Sequence, residues 1–288
     1  MYDMIYFPNL GIHLDNVGRG FTVFGFHVAF YGLIVGIAIL LGFVLGFRDA
    51  KITGQKQDDY MNMGIIGVVA GIAGARLYYV IFSWDFYRGQ LLQIFNLRAG
   101  GLAILGGVIG AFSTVLIYSR VKKLNTLQMC DTVAICMVNG QMLGRWGNFL
   151  NREAFGGYTN NLFAMQLPVR AVRYGDISAE MQAHIQVIDG IDFIQVHPTF
   201  LYESALCAVI LALLILLRKR KQYHGQLFLL YLLLYGVGRF FIEGLRTDQL
   251  LLPMIHLPVS QVLAAAMAII SIVLLIVLNF KQKSMRKL

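Results

Sequence analysis

Apolar runs of roughly twenty residues recur along almost the whole chain, each closed by a short polar stretch. At about 1.5 Å per helical residue, such a run matches the ~30 Å hydrocarbon core of a bilayer. Seven spans are drawn: Phe21 to Phe47, Tyr60 to Phe82, Gly100 to Tyr118, Leu127 to Trp146, Thr199 to Leu217, Gln226 to Ile242 and Val259 to Phe280. Lipid offers no partner to a free backbone N–H or C=O, so the predicted class is an all-α polytopic membrane protein with seven transmembrane helices. Glycines recur at four-residue spacing at Gly32/Gly36, Gly42/Gly46, Gly67/Gly71 and Gly106/Gly110. The first three pairs read as close helix packing. The last is set apart because it lies in a longer glycine block.

The polar stretches decide orientation. Arg48, Lys51 and Lys56 follow the first span, Arg120, Lys122 and Lys123 the third, Arg218, Lys219, Arg220 and Lys221 the fifth, and Lys281, Lys283, Arg286 and Lys287 the seventh. All fall on one side of a seven-span drawing, which places that side in the cytoplasm and the N-terminus outside. The expected organisation is an outward arm over residues 1–20, helices one to four over 21–151 with an outward loop at 83–99, and an extracytoplasmic head over 152–197. Helices five to seven follow over 198–280, with a basic tail at 281–288. Trp84, Phe86 and Tyr87 sit where an outer aromatic belt is expected.

Composition agrees with this class. The chain of 288 residues is 58% hydrophobic and 14% charged, against roughly 25% charged in a soluble domain. A formal charge of +9 invites nucleic acid as a partner. The basic residues, however, lie in short loops beside apolar runs, so no nucleic-acid partner is expected. Cys130, Cys136 and Cys207 all fall inside apolar runs at spacings that fit no metal motif, and they read as inert packing residues. Met1 to Asn16 carries Asp3 and no basic region, and is read as an arm rather than a cleaved signal. No P-loop, zinc motif or serine elbow is present, so neither a cofactor nor a metal is expected.

The chemistry concentrates after the fourth apolar run, in Gly144-Arg145-Trp146-Gly147-Asn148-Phe149-Leu150-Asn151-Arg152-Glu153-Ala154-Phe155-Gly156. A charge in hydrocarbon costs at least ~2.5 kcal/mol even on the mildest scale, so Arg145 needs a partner. Glu153 alone would satisfy it structurally. Asn148 and Asn151 add further polar groups, and Gly144, Gly147 and Gly156 remove side chains that would hold a ligand away, which favours an anionic, oxygen-rich ligand. A second cluster, Arg239, Glu243 and Arg246, falls on one helical face at steps of four and three. Counted together, three arginines against Glu153 and Glu243 leave positive charge suited to a phosphodiester. A third cluster, His197-Pro198-Thr199-Phe200-Leu201-Tyr202-Glu203, opens the fifth span. Thr199 and Glu203 there suit a helix start as well as they suit a site. His27 and Tyr31 lie one turn apart near the outer end of the first span. Arg76 either lines the same polar interior or snorkels.

These blocks resemble the prolipoprotein diacylglyceryl transferase family of bacteria. The similarity rests on Gly144-Arg145-x-Gly147-Asn148-Phe149-x-Asn151-x-Glu153-x-x-Gly156, with Tyr31-Gly32, His197-Pro198-Thr199-x-Leu201-Tyr202-Glu203 and the Arg239/Glu243/Arg246 face beside it. The resemblance implies a seven-span inner-membrane enzyme that moves the diacylglyceryl group of phosphatidylglycerol onto the lipobox cysteine in the signal peptide of a preprolipoprotein, releasing glycerol phosphate. It implies catalytic roles for Arg145, Arg239, Glu153, Glu243 and Tyr31. It implies substrate contacts from Arg145, Asn148, Asn151, Gly156, Arg239, Arg246, Tyr202 and His197. In that scheme Glu153 and Glu243 orient the arginines. Many members carry a histidine in the third-span glycine block, a candidate base for the thiol; here that position holds Leu105. A lipid or anion transporter using the same arginines as a transit site stands as the alternative. The lack of an inverted repeat weighs against it.

Overall fold

The computed structural model of the chain describes residues 3–97, 100–252 and 257–285. Met1 and Tyr2 of the expected arm, Arg98 and Ala99 of the outer loop, and Arg286 and Lys287 of the basic tail lie outside the described residues. In chain order the elements are β1 (Ile5–Phe7), β2 (Ile12–Leu14), β3 (Gly20–Val23), β4 (Phe26–Ala29), α1 (Phe30–Ile52), α2 (Gln57–Phe82), α3 (Trp84–Tyr87), α4 (Ile104–Val121), α5 (Thr126–Asn151), β5 (Met165–Pro168), α6 (Ala179–Ala183), β6 (Gln186–Ile188), β7 (Ile191–Val196), α7 (Thr199–Leu217), α8 (Gln226–Leu245) and α9 (Val259–Met285). Six of the described helices, α1, α2, α4, α7, α8 and α9, are long and apolar enough to cross a membrane. The chain is thus a mostly helical, multi-pass membrane protein. Helix α5 has 26 residues and is not among the six, because Asp131, Asn139, Gln141 and Arg145 interrupt its apolar run.

Two compact units are present, one of Met1–Gly42 with Ala134–Leu288 and the other of Phe43–Val133. In the first, an antiparallel sheet in the order β2-β1-β5-β7-β6 joins the N-terminal arm to the head segment. The chain is therefore not purely α-helical as expected, and the arm and head share one sheet. Tyr6 pairs with Gln166, which pairs with Gln195. The buried Gln166 amide donates to the buried Gln195 Oε1 at 3.1 Å and to the exposed Gln186 Oε1 at 2.7 Å, so it is satisfied across strands. Alternation places Ile5, Phe7, Met165, Leu167, Ile194 and Val196 in a core shared with Phe149 of α5 and Phe200 of α7. Burial of each large side chain contributes about 1.5–3 kcal/mol. The sheet thereby holds the C-terminal end of α5 beside the N-terminal end of α7.

The first span also starts later than expected. Residues 20–29 form the β3–β4 hairpin, in register Gly20↔Ala29 to Val23↔Phe26, and α1 begins at Phe30. Phe24 (φ 48°) and Gly25 (φ 80°) form its turn, and two left-handed residues there match the twist of paired strands. Aromatic and β-branched residues at 21–28 suit strands, but their apolar character merges with the helix that follows.

In the second unit α2 packs on α4. The contact runs through glycines: a Cβ at Gly74 meets the Gly106 carbonyl oxygen at 2.5 Å, and one at Gly110 meets the Ala70 carbonyl carbon at 2.9 Å. Gly106/Gly110, set apart on sequence, is the glycine pair that packs most closely. Gly32 and Gly36 face open space. Arg76 neither snorkels nor lines an open interior. It is 5% exposed and donates to the carbonyls of Gln93 (2.5 Å), Ile94 (2.7 Å), Asn96 (3.1 Å), Gly100 (2.7 Å) and Gly101 (3.0 Å). Its guanidinium also lies over the Tyr87 ring. This arginine shapes the loop that returns to α4.

Gly106→Val is expected to lower the melting temperature of the purified protein by several degrees, because backbone must part to admit it. Gly36→Val is expected to leave it nearly unchanged. Equal melting temperatures for both variants, read in detergent by intrinsic fluorescence, would remove the close-approach role.

Candidate functional site

The site grows from the end of α5. Arg152 (φ 56°) takes the left-handed position just past the helix. The Arg152 N–H then bonds Phe149 O at 3.1 Å and the Glu153 N–H bonds Asn148 O at 3.1 Å, the paired bonds of a Schellman stop. A left-handed arginine costs on the order of 1–3 kcal/mol where glycine costs nothing. Its side chain offsets that, buried and donating to Val17 O at 2.5 Å and Leu150 O at 3.1 Å. Arg152 thus ties the arm to the helix end.

Within α5, aromatic contacts set the register against α7. Phe149 lies 4.6 Å from Phe200 between ring centroids, and Trp146 lies 5.4 Å from Phe200. Trp146 also donates to Ser204 Oγ at 3.2 Å, and Ser204 Oγ donates to Met142 O at 3.0 Å. This register brings Arg145 to Glu203, with Nη2 to Oε1 at 3.0 Å. The expected Arg145–Glu153 pair is replaced by Arg145–Glu203. Glu203 is 1% exposed and accepts from three side chains on two helices. Its other partners are Arg239 Nη1 at 2.7 Å and the Tyr235 hydroxyl at 2.9 Å, both on α8. Arg239 also donates to Glu243, as its four-residue spacing foretold. On sequence Glu203 suited a helix start and a site equally; its place between two arginines follows from α5, α7 and α8 meeting.

Arg246 forks onto Asp248, with Nε to Oδ1 at 2.9 Å and Nη2 to Oδ2 at 2.7 Å, and keeps a longer contact of 3.9 Å to Glu243. Burial opposes the Asp248 charge, but the Arg246 fork more than offsets it and holds the carboxyl below its ordinary value. Glu203 and Asp248 therefore change the charge count. Arg145, Arg239 and Arg246 face Glu203, Glu243 and Asp248, so the expected surplus of positive charge is absent. What the cluster retains is donor capacity. Each guanidinium has five N–H groups, and among the described residues Arg145 engages Glu203 and Asn148 Oδ1 (3.3 Å) alone.

The other expected residues take distinct places. Asn148 and Asn151 donate to Glu153 Oε1 at 3.1 and 3.2 Å, and Arg173 approaches its Oε2 at 3.9 Å. Tyr31 lays its ring on Gly147, where a Cβ would overlap it. Its hydroxyl has no hydrogen bond among the described residues. Gly156 sits where three segments cross: its N–H bonds His197 O at 3.0 Å, and the Gly157 N–H bonds Leu245 O at 2.9 Å. A Cβ at Gly156 would meet His197 Cβ and Leu245 O, each at 2.8 Å. Protein backbone fills the space this glycine opens. His197 Nδ1 lies 3.3 Å from the Tyr202 hydroxyl, and burial pushes the His197 imidazole below its ordinary value, towards the neutral form. Leu105 and Arg76 belong to the second unit. Among the described residues no group of acidic, cysteine or histidine side chains is arranged to hold a metal ion.

The prolipoprotein diacylglyceryl transferase family matches the chain over residues 20–277. The chain belongs to that family. A phosphatidylglycerol–prolipoprotein diacylglyceryl transferase of Clostridioides difficile is 40% identical over 264 residues, covering 92% of this chain and 96% of the relative. A protein of the same name from Bacillus cytotoxicus is 40% identical over 254 residues, 88% of either chain. One from Finegoldia magna is 37% identical over 255 residues, 88% of this chain and 92% of the relative. Within this transferase family, then, the chain presents a buried carboxylate held by two arginines at the junction of α5, α7 and α8.

Breaking one side of a buried pair costs about 3–5 kcal/mol, since the other charge is left unpaired. Glu203→Gln and Arg145→Gln are each expected to lower the melting temperature substantially, and the double variant to lose clearly less than the sum. Strictly additive losses in a thermal-shift cycle would mean that these two side chains do not interact.

Proposed function

We propose that this chain transfers the diacylglyceryl group of phosphatidylglycerol to the lipobox cysteine thiol of a prolipoprotein, the first step of lipoprotein maturation. The observation that carries it is the match to transferases of that name over nine-tenths of the chain, 92% for the Clostridioides difficile relative. The transporter alternative draws no support from the three relatives above, each of which carries a transferase name.

The geometry suits the chemistry. The thiol sulfur attacks the glycerol carbon bearing the phosphate; the S–C bond forms as the C–O bond breaks. The thiol proton goes to solvent, and glycerol phosphate leaves with an added negative charge. A thiol of pKa ~8.5 is a few per cent ionised at neutral pH and already a good nucleophile. Stabilising the leaving phosphate is therefore the larger requirement, and Leu105 in place of a basic residue is compatible with it. Arg145 and Arg239 bind the phosphate through N–H groups not committed to Glu203. Held rigid in a low-dielectric site, such donors stabilise charge without reorganising as it develops. Glu203 and Glu243 hold the forks, and charge balance keeps the site stable before lipid arrives. Tyr31, with its free hydroxyl, and Asn148 donate to head-group or ester oxygens. Glu153 braces Asn148 and Asn151. Arg246, His197 and Tyr202 lie towards the sheet end, where the polar head of the lipid extends, and Gly156 keeps those segments together.

In this reading α5 is a seventh span, its polar side chains facing the bundle. The N-terminus and the sheet are extracytoplasmic, the C-terminus is cytoplasmic, and the site opens to the outer leaflet of the bacterial inner membrane. The basic loops after α1, α4 and α7 support that orientation.

Purified protein with labelled phosphatidylglycerol and a lipobox peptide is expected to place label on the cysteine. Arg145→Lys or Arg239→Lys keeps charge but loses the fork, and each is expected to lower the rate about tenfold or more. Wild-type rates for both, at normal protein levels, would return these arginines to a purely structural role. For orientation, a cysteine tag at Asn125 is expected to resist an impermeant reagent in intact cells while a tag at Gly175 reacts. A reactive Asn125 tag overturns the drawing.

A further inference from the structure

Beside the arginine network lies a chain of hydrogen bonds whose direction is fixed. The backbone N–H of Phe163 can only donate, and it donates to Asn161 Oδ1 at 2.9 Å. That sets the amide: Asn161 Nδ2 faces outward and donates to the Tyr202 hydroxyl at 2.9 Å. Asn161 is itself anchored, its carbonyl accepting from Ala164 N at 3.0 Å and Asn9 Nδ2 at 2.7 Å. With its oxygen accepting from Asn161, the Tyr202 hydroxyl has a proton to place, and His197 Nδ1 at 3.3 Å is the acceptor it meets. A neutral imidazole that accepts at Nδ1 carries its proton on Nε2. Among the described residues nothing engages Nε2, and the half-buried ring keeps it accessible.

We propose that Asn161 and Tyr202 are positioning residues that lock His197 in the Nε2–H tautomer, making it a hydrogen-bond donor to an oxygen of the lipid's polar head and not the base that deprotonates the thiol. The proposal rests on the transferase reading above. It fits position as well as chemistry. At about 1.5 Å per residue, Thr199 lies roughly 6 Å nearer the sheet end than Glu203 along α7, and Leu245 roughly 9 Å nearer it than Arg239 along α8; His197 and Arg246 lie just beyond those helix ends. His197 and Arg246 flank the same glycine, Gly156, whose N–H bonds His197 O and whose backbone bridges to Arg246. A head group whose phosphate rests on Arg145 and Arg239 and which extends towards the sheet reaches this level. An Nε2–H there donates to hydroxyl and phosphate oxygens and opposes a head that presents N–H groups at that point.

The test joins a spectroscopic and a kinetic readout on the full-length protein. Histidine labelled with nitrogen-15, with His197→Asn used to assign the signal, is expected to show protonated Nε2 and bare Nδ1 for His197 in wild type. Tyr202→Phe and Asn161→Ala are expected to convert that signal to a tautomer mixture. In transfer assays, His197→Gln, which places an amide N–H at the Nε2 position, is expected to lose less than His197→Leu. The Leu variant should raise the KM for phosphatidylglycerol on the order of tenfold with a smaller change in kcat. His197→Asn, which places its amide at the Nδ1 position, is expected to behave like the Leu variant. A wild-type Nδ1–H signal, rescue by Asn in place of Gln, or a loss confined to kcat overturns the proposal while transfer itself persists. Absence of transfer by wild type overturns the transferase reading instead.

Discussion

A carboxylate shut away from water between two guanidiniums governs the rest of this molecule. Alone, Glu203 in a low-dielectric bundle would be a charge without a partner. Arg145, unpaired at the same depth, would be costlier still. Bound together with Arg239 and Tyr235, each makes the others tolerable. Such a cluster exists only if three helices arrive at one level. The aromatic contacts of Trp146, Phe149 and Phe200 and the sheet core beneath them therefore act on the chemistry through helix register. Because the charges balance within the cluster, the proposed phosphate site offers oriented N–H groups rather than net attraction, which favours recognition of shape over capture of any anion.

Most of the helical organisation was legible in the sequence because bilayer thickness imposes one length on every span. The six apolar helices follow the drawn runs within several residues. The exceptions are physical. Residues 21–29 are apolar enough to be read as membrane and sufficiently β-branched and aromatic to pair as a hairpin, and apolarity alone does not separate the two. The head was marked by its polar residues, but its sheet was not, because β1 and β2 come from the arm. Pairing across more than a hundred and fifty residues, as in Tyr6 with Gln166, leaves no local pattern.

For the site, local spacing went as far as one helix reaches. Arg239 and Glu243 share a face of α8, and four-residue periodicity foretold the pair. Glu153 was assigned to Arg145 by nearness in sequence, yet the helix stop at Arg152 turns it back onto Asn148 and Asn151. Glu203 lay in a block already singled out, and the signal that was missed is its depth. A carboxylate one turn inside an apolar helix demands a cation, and Arg145 and Arg239 were the candidates. Arginines themselves were ambiguous: Arg76 and Arg152 are more buried than Arg145, yet their hydrogen bonds go to backbone carbonyls, which sequence does not reveal.

The crossing at Gly156 bears on the order in which the protein is made. Its bonds reach forward to the carbonyls of His197 and Leu245, so the end of α5 has no finished seat when it leaves the ribosome. The arm, the head and two further helices must be synthesised before Leu245 is available to the Gly157 N–H. Arg145 likewise waits for Glu203 on α7, and Glu203 for its second arginine, Arg239, on α8. The newborn chain therefore completes the surroundings of Arg145 only after α7 and α8 have both been made.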